Sequence, residues 1–281
     1  MMASLIPNGV FAEVLGHKIH IFRAGNESSP KLVFLSASGT AAPAYDFKIL
    51  YSKLIERFRV IVIEKFGYGY SDIYEGPTDI DSVVNYQREA LKQIGEYGPF
   101  ILLPHSMSGL EAIRWIQLYP EEITSLIGID MAVPKTYFAW ADGELDKRIQ
   151  TIKKLQKLKK IGFLNLLPRN KRGLCKEDIK QQTLLWKRNA MNNCILNEAF
   201  AVLDNSKTVE DGDGIFSPTL LFVSNGKQVS SGWIEAVNEF AEKTNAEMIC
   251  LDCGHYIHYF ESEKMSEKII SFLDNIVRKN C

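Results

Sequence analysis

The chain has 281 residues, of which 46% are apolar, and its formal net charge is −1. This length suits one large α/β domain with an inserted segment, and the near-zero charge argues against general nucleic-acid binding. The N-terminus lacks the basic start and apolar run of a secretory signal, and no segment approaches the about 20 apolar residues that span a bilayer. We therefore expect the five cysteines to be reduced thiols of a cytoplasmic protein.

The sequence alternates between strand-like and helix-like segments. Residues 9–25 predict an antiparallel hairpin, and six buried strands are predicted at residues 31–37, 59–65, 100–105, 125–131, 218–224 and 246–252. Their continuous apolar character is typical of a parallel sheet that is covered on both faces. Helical patterns fall between them at residues 46–58, 80–97, 109–118, 233–244 and 261–277. This order predicts βαβ units joined by right-handed crossovers.

One long segment interrupts the alternation. From residue 134 to residue 217 the chain shows helical and loop patterns but no convincing strand. Within it, residues 147–188 contain 14 Lys or Arg against only Glu177 and Asp178. A charge contrast of this size indicates an insertion with its own surface role. We therefore predict a core domain of residues 1–133 and 215–281, with residues 134–214 inserted as a helical lid.

A serine stands at the junction between a predicted strand and the helix that follows it. The stretch reads F-I-L-L-P-H-S-M-S-G, in which the compact residues Pro104, Ser108 and Gly109 surround Ser106. A nucleophile on such a sharp turn has an exposed oxygen at a helix N-terminus, and the cramped turn requires compact neighbours. Ligands of open α/β sheets bind at the carboxyl ends of the strands. Ser106 is therefore the candidate nucleophile.

This stretch resembles the nucleophile elbow of the α/β-hydrolase superfamily, in which G-H-S-M-G-G is a common form. Two further landmarks stand in the family's order: E-K-F-G-Y-G-Y-S-D at residues 64–72 resembles D-x-x-G-x-G-x-S, and G-H-Y-I-H-Y-F at residues 254–260 resembles the final G-H loop. The sequence departs from the family at Glu64, which replaces an aspartate, and at Pro104 and Ser108, which replace glycines. The resemblance implies a mostly parallel, eight-stranded type of sheet flanked by helices, and a serine hydrolase without metal or cofactor.

A serine hydroxyl needs a base to take its proton. His255 follows the last predicted strand and matches the catalytic histidine of the family. His258, three residues further on, is the alternative, as a supporting residue or a packed one. His17 and His20 lie in the predicted hairpin, and His105 stands beside the serine.

The acid is not at its usual place. The family position after the strand at residues 218–224 is Lys227, with Asn225 nearby, and neither side chain can carry a negative charge. Some haloalkane dehalogenases and lipases take the acid from the strand after the elbow helix, where this chain has Asp130. Asp252 is a weaker candidate because it lies only three residues before His255. The resemblance therefore points to Asp130, with a cap or hinge role at the insertion as the alternative.

The oxyanion of an acyl-transfer intermediate needs hydrogen-bond donors. The amide of Met107 is expected to be one of them. The second usually comes from the loop after the strand at residues 31–37, where L-S-A-S-G-T replaces the family's His-Gly and the Ser38 amide is the expected donor. Gly39 gives that loop freedom to turn.

The insertion offers candidates for substrate contact. Tyr137, Phe138 and Trp140 either line an acyl pocket or pack inside the insertion, and His258 is a further pocket candidate. The basic helix that follows, with Leu145 and Ile152 at helical spacing, either binds an anionic membrane surface or, as is more common, packs on its own protein. Lysines near the cleft are also suited to attracting acidic substrates.

The preferred hypothesis is a serine esterase acting on a small-molecule acyl substrate. An amidase or aminopeptidase is the nearest rival because the same residues serve both reactions, and a non-catalytic ligand binder with the same fold is the alternative outside the enzymes. A serine at the elbow argues against a dehalogenase, whose nucleophile is an aspartate. The Cys250–Cys253 C-x-x-C pair has no second ligand pair nearby and is weak evidence for a metal or redox site.

Overall fold

The computed structural model describes residues 4–280, and Cys281 lies outside that range. Within it, eight strands form one sheet: β1 Val10–Val14, β2 His17–Ala24, β3 Lys31–Leu35, β4 Arg59–Glu64, β5 Phe100–Pro104, β6 Ile123–Ile129, β7 Thr219–Val223 and β8 Glu247–Cys250. Their order is β1-β2-β4-β3-β5-β6-β7-β8. β2 pairs antiparallel with β1 and with β4, and all other neighbours are parallel. The predicted mostly parallel α/β sheet with an N-terminal hairpin is confirmed.

Alternating side chains along each strand build two cores, one on either face of the sheet. In β3, Val33 and Leu35 belong to one core, whereas Leu32 and Phe34 belong to the other. Successive side chains of a strand point to opposite faces, so a strand covered on both sides is apolar throughout. β8 differs from the prediction of a buried strand: it is the sheet edge, and three of its four residues are exposed.

Nine α-helices occur among residues 4–280: α1 Pro43–Asp46, α2 Lys48–Tyr51, α3 Ile80–Gln93, α4 Ser108–Leu118, α5 Glu144–Lys160, α6 Lys176–Asn189, α7 Asn193–Glu210, α8 Trp233–Thr244 and α9 Ser262–Asn280. The helix predicted at residues 46–58 is replaced by two one-turn helices that meet at Phe47, whose side chain is fully buried in the core. No helix within the described residues is long and apolar enough to cross a membrane.

Between β6 and β7 the chain forms only helices and loops, as the sequence pattern predicts. We call residues 134–214 the helical insertion; it contains α5, α6, α7 and two 3-10 helices, Pro134–Asp142 and Phe163–Leu166. Arg188 donates to the carbonyls of Gly69 and Ser71 over 3.0 and 2.7 Å, and Asn192 donates to the Gly67 carbonyl over 2.7 Å. The insertion is thus bonded to the G-Y-G-Y-S loop of the core. The domain division at residues 134 and 214 remains a prediction.

Candidate active site

Ser106 occupies a strained turn between β5 and α4. Its φ angle is +57°, in the left-handed region that a residue with a Cβ rarely adopts. Two neighbours allow this turn: a Cβ on Gly109 would lie 2.0 Å from the Ala132 carbonyl oxygen, and the buried Ser108 hydroxyl donates to the Leu35 carbonyl over 2.8 Å. Ser108, which stands where the family has glycine, therefore secures the elbow to β3.

The structure brings His255 and Asp130 together. His255 Nδ1 lies 2.6 Å from Asp130 Oδ2, and the Asp130 side chain is fully buried whereas that of His255 is 15% exposed. The other carboxylate oxygen, Oδ1, accepts from the Ser224 amide over 2.9 Å. Because the carboxylate only accepts, the ring proton of His255 is held on Nδ1. The carboxylate is thus oriented by β7 and directed at the imidazole.

The other acid candidates point elsewhere. Asn225 Nδ2 donates to Asp252 Oδ1 over 3.2 Å, and the Lys227 amide donates to Asn225 Oδ1 over 3.2 Å. Within residues 4–280, none of these three side chains forms a hydrogen bond with the His255 ring. Of the candidates weighed in the sequence, the structure joins Asp130 alone to His255.

Ser106 and His255 line the same cavity, but no hydrogen bond joins their side chains in the described part of the chain. Apo structures often show such nucleophile–base contacts long or poorly aligned, and they tighten when substrate binds. Two further contacts hold His255 in place. Its backbone amide donates to Gln228 Oε1 over 3.2 Å. The indole of Trp233 packs edge-on against the imidazole of His255, with ring centroids 5.5 Å apart.

His105 supports the loop that carries His255, a role that the sequence did not reveal. Its Nε2–H donates to the His255 carbonyl over 3.2 Å, and the side chain is fully buried. Burial, together with the neighbouring imidazoles of His255 and His258, holds the pKa of His105 well below its ordinary value, so the ring remains neutral. Proximity to the elbow in sequence is the only signal that pointed to this residue.

The two expected oxyanion donors face the same cavity. Ser38 and Met107 both line it, and neither backbone amide donates to a protein acceptor anywhere in residues 4–280. The next amide along the loop, that of Gly39, donates to the Tyr68 hydroxyl over 3.1 Å, with a φ of +82° at the glycine. Donors of this kind stabilise a developing oxyanion when they point at it, and this role of the two amides remains a prediction.

The cavity beside these residues has a volume of about 530 Å³. Tyr137 and Trp140 line it with their rings in edge contact, 4.6 Å between centroids. The structure does not place Phe138 there: three residues per turn in the 3-10 helix put Tyr137 and Trp140 on one face, so Phe138 turns outward and is 42% exposed. Glu144, Lys147 and Arg148 of α5 also line the cavity, so two basic side chains and one acidic side chain of this helix lie at the cleft.

His258 is likewise not at the cavity. It is fully buried, and its Nε2 lies 3.3 Å from Asp46 Oδ2. Tyr259 donates to the other oxygen of the same carboxylate. His258 belongs to the 3-10 turn Ile257–Tyr259, in which Ile257 and His258 are buried. The imidazole therefore contacts the Asp46 carboxylate inside the protein and not the cavity.

A buried ion cluster behind the oxyanion loop was missed in the sequence because its members come from four distant segments. Lys65 Nζ lies 2.6 Å from Glu111 Oε1 and 2.8 Å from Glu198 Oε1. Burial by itself lowers the Lys65 pKa, but the two carboxylates together raise it well above its ordinary value. Tyr68 and Ser38 both donate to Glu198 Oε2. Glu198 belongs to α7, so the insertion contributes directly to the surroundings of the loop.

Glu64, which stands where the family has aspartate, is the anchor of the G-Y-G-Y-S loop. Its carboxylate accepts from the amides of Tyr70 over 2.7 Å and Ala44 over 3.1 Å, and lies 2.9 Å from His20 Nδ1. A Cβ on Gly69 would lie within 2.2 Å of this carboxylate, so only glycine permits the approach. Cys250 and Cys253 are both free thiols.

Comparisons with known proteins agree with this architecture. No family model matches the chain. An uncharacterized protein of Bacillus subtilis, YbdG, is 37% identical over 166 residues, which are 59% of this chain and 50% of that protein. The chain thus spans about half the length of this relative.

Solved structures match over nearly the whole chain. An esterase from Exiguobacterium antarcticum superimposes with a TM-score of 0.73 and 24% identity, covering 95% of this chain and 99% of that one. An epoxide hydrolase from Bacillus megaterium gives a TM-score of 0.71 at 14% identity, covering 94% and 100%. At these identities the likeness is one of fold. The chain thus has the fold that these two hydrolase structures share.

Proposed function

We propose that the protein is a serine hydrolase that cleaves a carboxylic ester or a related acyl bond through Ser106, His255 and Asp130. The observation that carries the proposal is the 2.6 Å contact between His255 Nδ1 and Asp130 Oδ2. β5 and β6 are parallel neighbours, so the residues that follow them, Ser106 and Asp130, meet at one edge of the sheet. A carboxylate that holds the proton on Nδ1 leaves Nε2 available as a base.

The proposed reaction has two halves. His255 Nε2 takes the proton of Ser106 while Oγ attacks the acyl carbon, and the amides of Met107 and Ser38 stabilise the oxyanion. The imidazolium, whose charge Asp130 offsets, returns the proton to the leaving oxygen as the ester bond breaks. Water then attacks the acyl-enzyme with the same histidine as base, which releases the acid and regenerates Ser106.

A ligand binder without catalysis is the second candidate, because no hydrogen bond joins Ser106 to His255 among the described residues. The residues themselves favour the enzyme. A non-glycine residue in the left-handed region costs roughly 1–2 kcal/mol, and strain of this kind clusters at active sites. A binder has no need for that strain at Ser106.

A fluorophosphonate probe tests the proposal, because it reacts only with an activated serine. We expect the wild-type protein to be labelled at Ser106, and Ser106→Ala to be unlabelled while it retains a cooperative unfolding transition. Turnover of p-nitrophenyl esters of graded chain length, compared with aminoacyl-p-nitroanilides, then separates an esterase from an amidase or aminopeptidase. A folded wild-type protein that is neither labelled nor active on either series is the ligand binder.

A further inference from the structure

The hydroxyl hydrogen of Ser38 is already engaged in a hydrogen bond. Its Oγ lies 2.8 Å from Glu198 Oε2. An ionised carboxylate has no proton and only accepts hydrogen bonds, so Ser38 is the donor in this contact. Once that hydrogen is committed, the lone pairs of Oγ are what remains for a further partner. This side chain therefore acts as an acceptor toward anything else it contacts.

The ion cluster behind Ser38 holds Glu198 in place. Lys65 is only 3% exposed and lies between Glu111 and Glu198, at 2.6 and 2.8 Å. Gln87 also donates to Glu111, over 2.7 Å to Oε2. Glu198 is thus fixed by a buried lysine as the acceptor that the Ser38 hydroxyl meets.

The same residue stands at the reaction centre of the proposed enzyme. Ser38 is half-buried, lines the cavity with Ser106 and His255, and supplies one of the two proposed oxyanion amides. A carbonyl oxygen held by that amide would have the substituents of its neighbouring acyl carbon beside residue 38. The side chain at that position is the hydroxyl that Glu198 fixes as an acceptor.

From this geometry we infer that Ser38 Oγ is an acceptor subsite for a hydrogen-bond donor on the carbon next to the scissile carbonyl. The inference rests on the proposed function and names its substrate class: acyl groups that carry a hydroxyl or an amino group at that carbon. A hydroxyl and an ammonium share the required chemistry, because each brings a hydrogen to donate.

The test compares four methyl esters that differ at one substituent: propanoate, 2-methoxypropanoate, 2-hydroxypropanoate and 2-aminopropanoate. The methoxy ester is the critical comparator, because it has an electron-withdrawing oxygen like that of the hydroxy ester but no hydrogen to donate. We expect the wild-type kcat/KM for the hydroxy or the amino ester to exceed that for the methoxy ester by roughly 10-fold, the effect of one hydrogen bond. Each donor ester thus gives a ratio of its kcat/KM to that of the methoxy ester. The larger of these two ratios shows whether the subsite prefers a hydroxyl or an amino group.

Two serine variants of the same loop locate the effect. Ser38→Ala keeps the backbone amide but removes the acceptor, so the kcat/KM ratio of donor ester to methoxy ester falls to about one, whatever change in turnover the four esters share. Ser36→Ala is the matched control: its hydroxyl is 1% exposed, does not line the cavity and has no hydrogen-bond partner within residues 4–280, so the wild-type ratio is retained.

The possible failures are distinguishable. If the wild-type protein hydrolyses the esters with equal efficiency for methoxy, hydroxy and amino substituents, the acceptor subsite is refuted and the hydrolase remains. If Ser38→Ala lowers kcat for all four esters by one common factor, Ser38 merely braces the loop and the subsite is again refuted. A wild-type protein that turns over no ester and reacts with no fluorophosphonate overturns the proposed function itself.

Discussion

His255 Nδ1 and Asp130 Oδ2 lie 2.6 Å apart although 125 residues separate them in the chain. The carboxylate is fully buried and tied to the Ser224 amide, whereas the imidazole keeps 15% of its side-chain surface exposed. A buried, fixed acceptor beside an accessible ring orients the ring and still lets it reach a substrate. Lys227 and Asn225, which stand where the resembled family has its acid, form no hydrogen bond with this ring within residues 4–280.

We expect Asp130→Asn to lower kcat by about four orders of magnitude, because an amide can donate to Nδ1 and so stabilise the wrong tautomer of His255. The measurement is steady-state ester hydrolysis at pH values around 7. Asn225→Ala is the control, for which we expect a change of less than about 3-fold, since Asn225 contacts Asp252 rather than the histidine. Equal, small effects of both substitutions would contradict the assignment of Asp130.

Glycine at position 106 should relieve the backbone strain and so raise stability without restoring activity. Because Ser106 has a φ of +57°, Ser106→Gly is expected to be more stable than Ser106→Ala by about 1 kcal/mol, although both are inactive. Urea unfolding measures the difference. At Ser82, in the first turns of α3, the order should reverse, because alanine favours a helix by about 1 kcal/mol over glycine. If alanine is also the more stable variant at Ser106, the turn at Ser106 is not strained.

Gly109→Ala should damage the elbow. The added methyl would lie 2.0 Å from the Ala132 carbonyl, which is backbone that must then move, so we expect a loss of roughly 1–3 kcal/mol of unfolding free energy. Activity should fall as well, because the Ala132 amide donates to the Ser106 carbonyl over 2.8 Å. Gly214→Ala is the control: its new methyl would meet Phe216 Cζ at an ordinary contact distance of 4.0 Å, and a change within about 0.5 kcal/mol is expected. If Gly109→Ala and Gly214→Ala have equal unfolding free energies, the close approach of Gly109 to the Ala132 carbonyl is refuted.

His105 should make the protein less stable in mild acid. Burial lowers its pKa in the native state, whereas the unfolded chain has the ordinary value of 6.5. Above pH 6.5 neither state binds the proton; below it the unfolded state does and the native state does not, so the unfolding free energy falls as pH falls. The slope is at most about 1.4 kcal/mol per pH unit.

The check is the unfolding free energy of wild type and His105→Gln, measured by urea titration between about pH 5 and pH 8. The variant loses this imidazole, so its curve should be shallower below pH 6.5 whatever its overall stability. Parallel curves for the two proteins would show that the His105 ring takes up its proton equally well in both states.

Local patterns along the chain predicted the parallel sheet. Continuous apolar runs such as β4, which is buried at every position, indicate buried strands, and the helical periods between them indicate parallel crossovers. The compact residues around Ser106 indicated a tight turn, whereas the G-H loop at His255 was identified through its resemblance to a known family. The predictions were weakest for the exposure of a strand to solvent. The apolar run of β8 was predicted to be buried, but it lies at the sheet edge.

Sequence alone thus predicted the sheet and the helical segment between β6 and β7, because these depend on periodicity. Its resemblance to a known family selected three further segments as candidates for chemistry. The tertiary structure decided which side chains meet. It paired His255 with Asp130 rather than Asp252, turned Phe138 and His258 away from the cavity, and placed Glu198 of the insertion against Ser38. Such contacts join residues more than 100 positions apart, and their distances follow from how strands and helices pack, which no local pattern encodes.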